Sequence, residues 1–129
     1  MQHEADLQKI LEGDFDAALG KVVASLKEEG FGVLTEIDVK ETMRAKLGVD
    51  LARYRILGAC NPPIAYRALQ SEPDAGLMMP CNVIVYEADG KTTVKAIDPL
   101  ATLAAGSAAL QPIAREVREK LTKVIARLT

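Results

Sequence analysis

The stretch CNVIVYEADGKTTVKAID, from Cys81 to Asp98, constrains the fold more than any other part of the chain. Two alternating runs flank Asp89-Gly90, a dipeptide favoured in type I′ hairpin turns because both central residues need positive φ. A two-residue turn leaves no freedom of register. Ala88 must pair with Lys91, so Val85 faces Val94, Val83 faces Ala96 and Cys81 faces Asp98. These pairs share one side of the sheet. Ile84, Tyr86 and Lys95 fall on the other, more mixed side. A lone hairpin is marginal in water, so the rest of the chain must add strands and cover the apolar side.

The flanking segments supply both. DFDAALGKVVASLKEEG predicts an amphipathic helix capped by Asp14, with Phe15, Leu19, Val22, Val23 and Leu26 on its stripe and Gly30 at its left-handed end. FGVLTEIDV predicts a strand, with Phe31, Val33, Thr35 and Ile37 on one face and Leu34, Glu36 and Asp38 on the other. A short helix follows near residues 40–47 and stops at Gly48. YRILGAC is apolar on both faces, which suits an interior strand. NPPIAYRALQ predicts a helix with Asn61 as N-cap and Pro62 and Pro63 in the first turn, where a missing amide hydrogen costs nothing. SEPDAGLMMP is expected as a loop. Asp98-Pro99 is a helix-start signal, followed by a turn near residues 100–104 and a break at Gly106 and Ser107. A last helix is expected over about residues 111–128, with Ile113, Val117, Leu121, Val124, Ile125 and Leu128 on its stripe. Over ADLQKIL, periodicity allows either a strand or a short helix. The order is (β)-α-β-α-β-α-β-β-α, a single α+β domain over residues 1–129 with helices packed on the apolar face of the sheet.

Composition excludes several functions. At 129 residues, 49% hydrophobic and 26% charged, the chain can bury a core without disulfides. A net charge of −2 argues against a broad nucleic-acid surface. No apolar run approaches the length of a membrane helix, and the polar start MQHEADLQKI lacks the pattern of a signal peptide. Two cysteines form no disulfide framework, so the expected location is the reducing cytoplasm. The single histidine, His3, leaves no imidazole in the body of the chain for a zinc site or a Ser-His-Asp triad. No glycine-rich phosphate-binding fingerprint is present, and no cofactor is expected.

The candidate site comes from the two Cys-Asn steps, Cys60-Asn61 and Cys81-Asn82. If the YRILGAC strand lies antiparallel beside the hairpin, both cysteines fall at one end of the sheet. Asp98 and two helix N-termini would join them there. Free amide hydrogens and the positive dipole end suit a small anion and lower the pKa of a thiol. The candidate set is therefore Cys60, Asn61, Pro62, Cys81, Asn82 and Asp98. Against this, free cysteine often behaves as a small buried hydrophobe, and the remaining residues are explained as caps and helix starters. Glu36 and Asp38, on one strand face, are weaker candidates for acid-base work or a divalent cation, against a plain solvated face. Met78 and Met79 offer thioethers to a soft metal, but consecutive residues of an extended segment point opposite ways.

Several stretches, GFGVLTEIDV, KLGVD, YRILGACNP, MMPCNVIVYE and AIDP, resemble the bacterial and archaeal family catalogued as domain of unknown function 302. The resemblance implies a curved antiparallel sheet backed by helices, similar to the TATA-binding-protein-like layout, with a strand at ADLQKIL. It implies no catalytic role and confers no DNA binding. Function is thus expected to be that of a ligand-binding or interaction module. The alternatives are a thiol-dependent redox protein or enzyme using Cys60 or Cys81, and a soft-metal binder. The expected partners are a second copy of the chain and a small anionic ligand, with no nucleic acid and no membrane.

Overall fold

The structure is a computed structural model that describes residues 5–105 and 107–129. His3 and Gly106 lie outside these residues. Five strands form one antiparallel sheet: β1 (Gln8–Leu11), β2 (Gly32–Asp38), β3 (Tyr54–Cys60), β4 (Cys81–Ala88) and β5 (Lys91–Ala96), in the order β1-β5-β4-β3-β2. Among the described residues, four helices of nine residues or more accompany the sheet: α1 (Phe15–Glu28), α2 (Val39–Leu47), α3 (Pro62–Ser71) and α4 (Gln111–Arg127). The ambiguous first segment is a strand, paired with β5 at Ile10 and Thr93.

The hairpin has the register its turn demands. Ala88 pairs with Lys91, Val85 with Val94 and Val83 with Ala96. Asp89 takes φ of 54° and Gly90 of 76°. The ladder stops at Ala96, so Cys81 has no pairing partner in Asp98; its partner is Ala59 on β3. Val83, Val85 and Val94 are fully buried beneath α1 and α4, together with Leu57, Val22, Leu26, Leu121 and Val124. Among the described residues, no helix is long and apolar enough to cross a membrane.

Local chemistry explains most element ends. The Asp14 carboxylate accepts the Ala17 amide at 3.0 Å, and Asp38 accepts that of Glu41 at 3.0 Å, which caps α1 and α2. Gly30 and Gly48 are left-handed, as helix-terminating glycines must be. On α1, Val23 is exposed, and Ala18 and Ser25 face the core in its place. Ser25 is buried at no loss because its hydroxyl donates to the Val124 carbonyl at 2.8 Å. The expected loop before β4 contains a 3₁₀ turn, Pro73–Met78. Asp98-Pro99 opens a run of turns, not a helix, with the Asp98 carboxylate accepting the Leu100 amide at 3.0 Å.

One register shift alters the faces of β2. Val33 pairs with Ala59 and Thr35 with Gly58, leaving Leu34 as the extra residue of a bulge. The bulge separates Val33, which packs on the core, from Thr35 and Ile37, which face the open side. The expected single face of Phe31, Val33, Thr35 and Ile37 is therefore divided. Glu36 and Asp38 stay together beyond the bulge, both paired with the Arg55 guanidinium of β3.

The bulge is held against Gly58. A Cβ at that position would lie 2.2 Å from Thr35 Oγ1 and 2.8 Å from Pro80 Cγ. Both approaches are closer than van der Waals contact allows. Gly58→Ala is expected to destabilise the protein by about 1–3 kcal/mol, as overpacking does. Urea unfolding measures this, and Thr35→Ala in the same background should recover part of the loss.

Candidate functional site at the cysteine end of the sheet

Pairing of β3 with β4 brings the two Cys-Asn steps to one end of the sheet. Ala59 faces Cys81, and Cys60 stands one residue beyond, paired with Gly32 of β2. Strict alternation would send Cys60 and Cys81 to opposite faces. β3 ends at Cys60, however, and the chain turns directly into α3. Both cysteines then border one small cavity beneath the start of α3, of about 30 Å³. Both are unbridged and half-buried.

Of the expected residues, Cys60, Asn61 and Cys81 line this cavity, and the other three do not. Pro62 is exposed at the first position of α3. Asn82 is exposed opposite Gly58, and its carbonyl accepts the Ile97 amide at 3.0 Å. Asp98 borders a separate depression with Leu7 and Gln8 and pairs with Arg118 Nε at 3.4 Å. Met79, weighed above as a thioether donor, and Pro80, the neighbour of Cys81, also line it, and sequence reasoning missed Phe31, Ile64, Ile113 and Val117, which complete most of the lining. Their apolar character was visible, but their convergence on one point depends on how α3 and α4 lie over the sheet.

Asn61 departs from its expected role. Its side chain makes no cap bond to α3. Instead its Nδ2 donates to the Glu29 carbonyl at 3.1 Å, tying the end of α1 to the start of α3. Glu29 is itself anchored, its carboxylate accepting from Arg127 Nη2 at 2.6 Å. That guanidinium holds the Glu29 carboxyl below the usual carboxylate range.

The helix start is a poor anion cradle. Pro62 and Pro63 carry no amide hydrogens. The Ala65 amide is bonded to the Asn61 carbonyl at 2.8 Å, and the intervening Ile64 is buried. The thiols are likewise unlike activated nucleophiles. Burial pushes Cys60 above the ordinary thiol value. Cys81 is pushed up to about 11, chiefly by burial and then by the charge of Cys60 beside it. A thiol poised to attack is shifted the other way. The candidate carboxylates on β2 also have structural duties: Glu36 and Asp38 share Arg55, and Asp38 caps α2.

The family model described as "Domain of unknown function DUF302" matches residues 7–128. The chain belongs to this family. It is similar to a solved structure described as an uncharacterized conserved DUF302 protein from Bacillus stearothermophilus. The two share 29% identity over 95% of this chain and 96% of that one, with a TM-score of 0.86. No curated protein matches the chain. The DUF302 fold is thus established, while family membership assigns no specific activity.

Two outcomes follow from the buried thiols. Iodoacetamide at pH 8 should label native Cys81 more slowly than the unfolded chain, with urea removing the difference. The folded Cys81 thiol also holds its proton more tightly than its ordinary value of 9.0. Its stabilising contribution is full below about pH 9 and is lost as pH rises through about 11. Wild type should therefore lose about 2–3 kcal/mol more than Cys81→Ala across that window, read by urea unfolding at each pH.

Proposed function

We propose that the protein is an interaction module that works as a homodimer, joined to a second copy of itself across the open face of the sheet. The observation that carries this reading is the apolar character of that face. The helices α1 and α4 bury the other side of β3, β4 and β5. On the open side stand Ile10, Ile37, Ile56 and Ile84, with Tyr54 stacked on Tyr86 at 5.2 Å between ring centres. Ile10 is 65% exposed and Ile37 48% exposed, one on each edge strand. Lys95 lies among them, while Lys91 sits at the hairpin end and pairs with Glu12.

Area and chemistry both favour a second copy as occupant. Five strands about 4.8 Å apart and about six residues long present a plane of roughly 500 Å² in projection, before side-chain relief is added. A standard interface needs about 800 Å² per partner, a comparable scale. The centre of the face is poor in charge and rich in isoleucine and tyrosine, the composition of an interface core. A two-fold axis through β4 would bring each apolar centre onto its own copy, the self-complementarity that a closed dimer requires. The two unbridged thiols suit a reducing compartment, and we place the protein in the cytoplasm.

Light scattering after size exclusion tests this reading. Wild type at micromolar concentration is expected at twice the chain mass, and Ile84→Glu at the chain mass with an unchanged far-UV spectrum. Ile10→Glu, at an exposed position that folding does not need, is expected to weaken the dimer alone. A monomeric wild type, or a dimer unaffected by both substitutions, overturns the reading.

A further inference from the structure

The cavity at the cysteine end is too small for an organic ligand. At about 30 Å³ it has the space of one water molecule. Its lining is nonetheless unusual in kind. Both cysteines of the chain border it, and so does one of the four methionines, Met79. Met79 packs against the smaller core cluster formed with Ala68, Leu103 and Leu110, whereas its neighbour Met78 is exposed. Met79, and not Met78, is therefore the thioether at the cavity. Among the described residues, no carboxylate and no imidazole lines the cavity.

We propose that Cys60, Cys81 and Met79 form a soft-metal site that takes a single monovalent copper ion. The donor set makes the choice. Thiolates and thioethers select soft ions such as Cu(I), while carboxylate, carbonyl and water suit magnesium, calcium and manganese. Zinc prefers four donors from Cys, His and carboxylate. Among the described residues, no group of three or more His, Cys, Asp or Glu is placed to hold a metal. Two thiols and a thioether match the two or three ligands that Cu(I) accepts. The size of the cavity matches a bare ion and excludes its hydration shell.

The site also answers a question of charge. Two thiolates in an apolar cavity would repel one another, and the pair accordingly remains protonated when empty. Binding replaces both protons: Cu(I) and two thiols give a bis-thiolate complex of net charge −1, and two protons leave to solvent. No electron moves, since copper arrives already reduced. Asn61 contributes position, because its bond to the Glu29 carbonyl holds the β3–α3 junction that carries Cys60.

The test is anaerobic titration of the whole protein with Cu(I) in the presence of a colorimetric Cu(I) chelator. Wild type is expected to withhold one equivalent, Cys60→Ser and Cys81→Ser to withhold none, and Met79→Leu to withhold it less tightly. Release of two protons per copper in weakly buffered solution would accompany uptake. Should a serine variant fail to fold by far-UV circular dichroism, X-ray absorption at the copper edge on wild type decides alone. Sulfur-only scattering at thiolate distance supports the site. Nitrogen or oxygen scatterers, loss of all copper to the chelator, or equal retention by the Cys60→Ser/Cys81→Ser double variant overturns it. Preferential retention of Zn(II) overturns it as well.

Discussion

Burial of Val83, Val85 and Val94 between the hairpin and the helices α1 and α4 is the contact on which the rest of the structure depends. Side chains alternate along a strand, so a slip of one residue would expose all three and bury Ile84 and Tyr86 in their place. Each buried valine is worth about 1.5–3 kcal/mol, and a domain has only about 5–15 kcal/mol in total. No compensating contact is large enough to tolerate the slip. The turn at Asp89-Gly90 and the valine alternation therefore agree on one register. With β4 fixed, β3 is fixed beside it, and Ala59 opposite Cys81 follows. Cysteines distant in the chain meet at one sheet end as a consequence of valines near the middle.

Two small departures from regularity then shape that end. The bulge at Leu34 turns Thr35 and Ile37 outward and presses Thr35 against Gly58. Of the two amide hydrogens that the Asn61 side chain would ordinarily cap, the second proline removes one. Asn61 is free to bond the Glu29 carbonyl, and through Glu29 and Arg127 the ends of α1, α3 and α4 are joined. Both the helix start that looked suited to anions and the capping residue that looked local serve tertiary packing.

The chemistry of the thiols follows from the same packing. The apolar walls that leave a water-sized cavity are the walls that raise both thiols. A site that protects its cysteines from water disfavours nucleophilic attack and does not disfavour a soft cation, because the cation replaces the proton that burial retains. The open face of the sheet has the opposite character. It is apolar without a cover in the monomer, and its isoleucines and stacked tyrosines are the residues a second copy would bury. The cysteine cavity and the open face occupy different parts of the same sheet, one at its end and one across its surface.

Much of this was legible in advance where interactions are short-range. The hairpin register, the caps Asp14 and Asp38, the left-handed Gly30 and Gly48 and the stripe of α4 all depend on neighbours within a few residues, and each is where local stereochemistry predicts. The meeting of Cys60 and Cys81 was legible only conditionally, because it required knowing that β3 lies beside β4. Asp98, Asn82 and Pro62 fall outside the cavity lining for a common reason: each is legible only from its own turn or strand, and none from the direction in which its side chain meets another element. The amino-acid sequence by itself determined the elements, their ends and which side of the hairpin is apolar, since backbone sterics and side-chain alternation act over a few residues. Only the tertiary structure decided that β2 bulges at Leu34, that Asn61 reaches Glu29 and that Met79 joins the two cysteines at one cavity, because those contacts join segments whose relative placement no local pattern encodes.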